Sequence, residues 1–227
     1  MGTVIIQSET VKDPITVIGR NAGTCYGSDT SDDKKNYERG IDCINHRHGR
    51  TYEFGWVSMV LDGYSAKVIR EFYTHIGGSP TRLQASTRYI GYGNFKYIVP
   101  DSIKENSAAA ALYQTAMLEI REKIRTLEEI YHIPKEDSSM LLPFGMTTKC
   151  VVGTNGRNLM DMSRNRECHT AFWEYRDELF PDIKKALSEY SEEWKTFIDL
   201  TFYPKCKELG YCPEEKCCGR YPKQIVE

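Results

Sequence analysis

Between Arg70 and Tyr89 the chain reads REFYTHIGGSPTRLQASTRY, which gathers the residue types that hold an anion. Gly77 and Gly78 leave backbone N–H groups open to close approach, because no side chain stands in the way. Arg82 and Arg88 offer forked guanidinium donors, His75 an imidazole, and Ser86 and Thr87 directed hydroxyls. Together these types suit the grip of a phosphorylated small molecule. A second set lies downstream, where Asn155, Gly156 and Arg157 open TNGRNL at the start of a predicted helix, a place that favours anions. Arg164 and Arg166 follow on the same stretch. Short patterns of this kind also occur as solvated turns, so their order along the chain carries more than any one alone.

The 227 residues carry a formal net charge of −2 and are 40% hydrophobic. That length buries a sizeable core without disulfide staples. A balance so near neutral argues against nucleic acid as a partner and against a polybasic membrane anchor, since both need a concentrated excess of Lys and Arg. No apolar run reaches the roughly 18 residues of a membrane span, and MGTVIIQSET lacks the parts of a signal peptide, so the expected setting is the cytoplasm. The cysteines Cys25, Cys43, Cys150, Cys168, Cys206, Cys212, Cys217 and Cys218 are then expected as thiols. The last four crowd a Cys-rich tail over 205–227. They lack paired Cys-x-x-Cys spacing, and no metal is expected.

The elements that must position these residues read as an α+β single domain over 1–227, with a mixed sheet and long helices. A short strand is expected over Ile15–Ile18, then a polar loop into a charged helix. The β-forming run EFGWVSMVLDG from Glu53 reads as a strand ending at Gly63. Ser65 is an N-cap for a helix through AKVIREFYTH, in which Val68, Ile69 and Phe72 share a face. Ser102 and Glu105 have capping-box spacing and open a long helix through Ile130, with Ile120, Ile124, Leu127 and Tyr131 on its buried face. A strand over Lys149–Val152, a helix from Asn158 through Arg176 and a last helix from Pro181 to about Leu200 complete the reading.

Four blocks, taken in order, resemble the flavin-dependent thymidylate synthases: HGRTYEF with His48 and Glu53; REFYTH followed by QASTRY; LLP at Leu141 preceding TNGRNL; and RECHTAFWEYR. The resemblance implies an FAD enzyme that methylates dUMP to dTMP with methylenetetrahydrofolate and NADPH, working as a homotetramer whose sites are shared between subunits. The chain departs from the family where its signature begins Arg-His-Arg. Here Thr74, His75 and Ile76 stand, with Gly77, Gly78 and Arg82 in a spacer two residues longer, and Arg82 or the glycine amides are expected to take over from the missing guanidinium groups. Ser139 replaces an arginine common before the Leu-Pro element, and Gln84 a glutamate. These departures leave two alternatives open: C5 methylation or hydroxymethylation of another pyrimidine nucleotide, or a nucleotide-binding homologue without catalysis.

Carried over residue by residue, the resemblance implies that Arg166 sits against the uracil and favours ionisation at N3, which makes it the catalytic residue and removes the need for a cysteine nucleophile. It assigns dUMP to Arg70, Glu71, Thr74, Gln84, Ala85, Ser86, Thr87, Arg88, Ser139 and Arg166. It assigns FAD to His48, Arg50, Thr74, His75, Ile76, Gln84, Asn155, Gly156, Arg157 and Asp161. Cys168, two residues beyond Arg166, reads as a small buried hydrophobe. His46, His132 and His169 receive no role.

Overall fold

The computed structural model describes residues 2–77 and 80–223. Strand β1 (Thr3–Ile6), helices α1 (Pro14–Cys25) and α2 (Asp33–Asn45) and a 3-10 turn (Gly49–Phe54) lead into the long strand β2 (Trp56–Ser65). Helix α3 (Ala66–Phe72), strand β3 (Thr81–Gln84), the short α4 (Asp101–Lys104), the long α5 (Ser107–Arg125) and α6 (Lys135–Ser138) follow. Strand β4 (Thr147–Asn155) then gives way to α7 (Gly156–Arg166), a π turn (Glu174–Leu179), α8 (Phe180–Tyr190), α9 (Glu192–Thr201) and α10 (Lys205–Leu209).

The α+β class holds. Its sheet, expected to be mixed, runs β1-β2-β4-β3 and is antiparallel at each pairing. Along β2 the side chains alternate as a half-buried strand requires, with Val57, Met59 and Leu61 fully buried. Gly63 adopts φ +83, a conformation open to glycine, and the register shifts there between Asp62 and Tyr64. The core against this sheet includes Ile15, Ile18, Phe72, Leu159, Tyr175, Phe180, Trp194 and Phe197. Ser65 caps α3 as expected, its Oγ accepting from Val68 N at 3.1 Å.

Several boundaries differ from the sequence reading. Ile15–Ile18 lies inside α1, because Pro14 pre-sets a first helical turn and two glycines let α1 and α2 meet backbone to backbone. A Cβ on Gly19 would stand 1.8 Å from Asn36 O, and one on Gly40 2.0 Å from Ile15 O. The Ser102–Glu105 box does not open the long helix. Instead α4 takes that turn, and Asn106 caps α5 by accepting from Ala109 N at 3.1 Å. The helix expected through Ile130 keeps α geometry as α5 to Arg125, and its predicted buried face is thin: Ile124 is buried against a small cluster with Tyr92, Phe95 and Met146, while Tyr131, beyond the helix, is exposed. The helix expected through Arg176 stops at Arg166, and the last long helix is split at Ser191, whose extended backbone and Oγ cap α9.

Candidate functional site

Helix α3 and the turn after it supply the first group of site residues. Glu174, a buried carboxylate, accepts from Ser65 N at 2.7 Å and also from Ser65 Oγ, so the cap of α3 is tied to the segment that follows α7. Arg166, the last residue of α7, donates from Nη1 to Glu71 Oε2 at 2.8 Å, from Nε to His75 Nε2 at 3.0 Å and from Nη2 to Thr74 Oγ1 at 3.1 Å. Its guanidinium carbon stands 4.9 Å from the centre of the Tyr175 ring. Because His75 Nε2 accepts, its proton is on Nδ1. Burial first, then the charges of Arg166 and Arg82, pull the His75 pKa down from 6.5 to about 4, so the ring is neutral at pH 7.

Arg82 takes a different part from the one expected. Its Nη1 donates to Tyr73 O at 3.0 Å and its Nη2 to His75 O, so it clamps the turn from inside rather than standing open to an anion. Among the described residues, Arg82 Nε and the Tyr175 hydroxyl are the buried polar side-chain atoms that lack a partner. Gly77 lies beside α7, where an added Cβ would be 3.5 Å from Asn158 Oδ1. Gly78, the second residue of the expected anion turn, is outside the described residues. Ile76 and Arg70 are exposed.

A second group surrounds a cavity of about 640 Å³ lined by Arg47, Arg50, Arg157, Asp161, Arg164 and Glu208 among others. Arg157 Nη1 donates to Glu53 Oε1 at 2.8 Å, and Arg50 stands 3.9 Å from the other oxygen. His48 lies in an adjoining recess with Cys25, Tyr26 and Arg50. Asn155 caps α7, its Oδ1 accepting from Asn158 N at 2.9 Å. Gly156 packs closely: an added Cβ would meet Phe197 at 3.0 Å and Tyr52 O at 3.2 Å. Arg47 and Glu208 escaped sequence reasoning, and Arg164 was read there without its partner. Arg164 Nε donates to Glu208 Oε2 at 2.8 Å and Arg47 Nη1 to Oε1 at 3.2 Å, partners more than forty residues apart that no local spacing could announce.

Helix α7 separates these two groups. Arg157, Met160, Asp161 and Arg164 recur at three- and four-residue steps and face the cavity. Arg166, two residues beyond Arg164, is turned by about 200° around the helix, toward α3.

The third group lies where β3 ends. Ala85 N donates to Lys149 O at 2.8 Å and Gln84 Nε2 to Thr148 Oγ1 at 3.3 Å, which fixes the start of the Ser86-Thr87-Arg88 turn. Arg88 N donates to Ser86 Oγ at 3.1 Å, and Arg88 Nε to Glu136 Oε2 at 2.8 Å. Ser139 joins this group by donating from Oγ to Glu136 O at 2.9 Å. Glu136 was not singled out from the sequence, where nothing marks it. Cys168 is only half-buried, its Sγ 3.3 Å from Thr170 Oγ1. In the tail Cys206 and Cys212 are buried, and among the described residues no three His, Cys, Asp or Glu side chains form a group able to hold a metal.

The fold is shared with solved structures. ThyX of Helicobacter pylori with FAD and dUMP superposes with a TM-score of 0.68 at 18% identity, covering 86% of this chain and 98% of that one. The UMP/dUMP methylase PolB of Streptomyces cacaoi, bound with 5-Br dUMP, gives 0.70 at 15% identity over 89% and 96%. The family model "Thymidylate synthase complementing protein" matches residues 6–187. A flavin-dependent thymidylate synthase of Thermococcus onnurineus is 31% identical over 180 residues, 75% of this chain and 70% of that relative. The chain belongs to the flavin-dependent thymidylate synthase family.

Proposed function

We propose that this protein binds FAD and catalyses the reductive methylation of dUMP to dTMP, with methylenetetrahydrofolate as one-carbon donor and NADPH as reductant. The carrying observation is the setting of Arg166 in a chain of this family: each of its three nitrogens is held by a different side chain, and its central carbon stands over the Tyr175 ring. Three of its five N–H groups are engaged, leaving two for a ligand. A cation fixed in this way lowers the free energy of a pyrimidine ionised at N3, whose electron-rich ring reacts at C5 without an enzyme thiol. Ser86 and Arg88 hold the phosphate, where the ligand competes with the exposed Glu136 for Arg88. Gln84 offers an amide edge to the uracil, and Arg70, Glu71, Thr74, Ala85, Thr87 and Ser139 border the nucleotide.

FAD fits the residues present. The cavity is within the 300–1,000 Å³ of typical small-molecule sites, and its arginine-rich lining suits a ligand with a pyrophosphate. His48, Arg50, Asn155, Arg157 and Asp161 would hold it on this face of α7, and Thr74, His75, Ile76 and Gln84 from the other side. When bound, the flavin supplies the electrons of the reaction.

The two sides of α7 face away from each other, which supports a site completed by a second copy of the chain. Exposed apolar side chains at Leu83, Tyr89, Ile90, Leu112 and Leu118 are in keeping with such contacts, and a homotetramer is the assembly we infer. We take the chain as one domain working in the cytoplasm; no described helix is long and apolar enough to cross a membrane. The test is to incubate purified protein with FAD, NADPH, methylenetetrahydrofolate and either dUMP or UMP, and to weigh the product. A yellow protein and a gain of one CH2 on dUMP are expected. Flavin-loaded protein that leaves both nucleotides unchanged would sink the assignment.

A further inference from the structure

We propose that Tyr175 is a positioning residue for Arg166, acting through the face of its ring; this rests on the role given to Arg166 above. The three hydrogen bonds of Arg166 all run to α3 and the turn after it, at Glu71, Thr74 and His75. All three are directed bonds to polar atoms at the rim of a planar group, and none bears on its central carbon. The Tyr175 ring supplies a fourth contact there. Its centre is 4.9 Å from the guanidinium carbon, a distance at which the electron-rich face attracts the cation.

The ring is itself held still. Tyr175 is fully buried, stacked on Phe72 at 6.1 Å and 22° and tilted against Phe180 at 6.3 Å, while His75 meets it edge-on at 6.2 Å. Its hydroxyl has no partner, so the phenol offers its neighbours no hydrogen bond. What the position gives Arg166 is therefore a π face, which phenylalanine also has and an aliphatic side chain of similar length does not.

Two variants test this in the flavin-loaded protein. Tyr175→Phe keeps the face and removes the orphan hydroxyl; its single-turnover methylation rate should stay within about twofold of wild type and its Tm should not fall. Tyr175→Met fills the space without a π face; its rate should drop about tenfold, between the values for an exposed and a desolvated cation–π contact, while the Kd for dUMP moves less than about threefold. The proposal is overturned if Met keeps the rate, if Phe loses as much as Met, or if rate and Kd decline together. Should the Met variant not fold, a tenfold loss in the Phe variant still overturns it. A wild type that forms no dTMP counts against the functional assignment alone. In that case the positioning is read in flavin-free protein from the NMR titration of His75, whose neutral form is favoured first by burial and then by the Arg166 charge: its midpoint should rise in Tyr175→Met and stay put in Tyr175→Phe. An unchanged midpoint in both variants overturns the proposal.

Discussion

Arg166→Ala separates activation of the nucleotide from its binding. The substitution removes a guanidinium that is 18% exposed and pairs at 2.8 Å with a Glu71 carboxylate that is 32% exposed, so Glu71 is left half-buried without its cation. That loss costs about 1–3 kcal/mol of stability, the range for an unpaired buried polar group, and urea unfolding should show it as a lower midpoint with an unchanged slope. The effect on chemistry is larger in consequence. Charge on the pyrimidine grows toward the transition state, and removing a fixed donor to such a charge lowers rates by about 10²–10³. The phosphate grip proposed for Ser86 and Arg88 is untouched by the substitution, so the Kd for dUMP should shift less than about tenfold. Arg88→Ala should do the reverse, weakening dUMP binding by about 1.5–3 kcal/mol as a lost hydrogen bond to a charged group with a nearly unchanged single-turnover rate at saturation. The assay is a pair of isotherms and single-turnover rates for each variant. If Arg166→Ala retains the chemical step within threefold while Cys168→Ser abolishes it, the thiol-free reasoning is wrong.

Acid should destabilise the fold through His75. Above pH 6.5 the ring is neutral in both states; as pH falls toward about 4 the unfolded chain takes up a proton that the folded site refuses, so stability is lost across that window, by about 3 kcal/mol in full. Urea midpoints at pH 7 and 4.5 should differ more for wild type than for His75→Gln, and parallel behaviour would refute the assignment of this titration. Gly40→Ala drives a methyl to within 2.0 Å of the Ile15 carbonyl; helices α1 and α2 must part, and thermal unfolding should report a loss of at least about 2 kcal/mol, with a loss below half that showing that the contact is soft.

Much of the frame was legible because it rests on local rules. The strand character of β2 and the Ser65 cap of α3 are written in adjacent residues. Helix α1 was not, since its ITVI run favours strand by propensity and is overruled by a glycine-to-glycine contact with a helix twenty residues away. The types in the site were legible too, but not their partnerships. Arg166 finds Glu71, Thr74 and His75 some ninety residues upstream, and Arg82, read as an anion donor, is consumed by two backbone carbonyls that no side-chain pattern reveals. Glu136 and Glu208 belong to the same class, being ordinary surface acids until the fold sets an arginine beside each.

The back-to-back arrangement across α7 has a consequence for inheritance of activity. A chain deprived of Arg157 is damaged on its cavity side and sound at Arg166; a chain deprived of Arg166 is the converse. If each working centre joins the cavity side of one copy to the Arg166 side of another, two such inactive proteins complement each other once their subunits are allowed to exchange. With equal amounts and random assembly, about one centre in four unites two sound faces. Activity then belongs to pairs of faces rather than to chains, and a dead subunit can still lend its neighbour the half that it has kept.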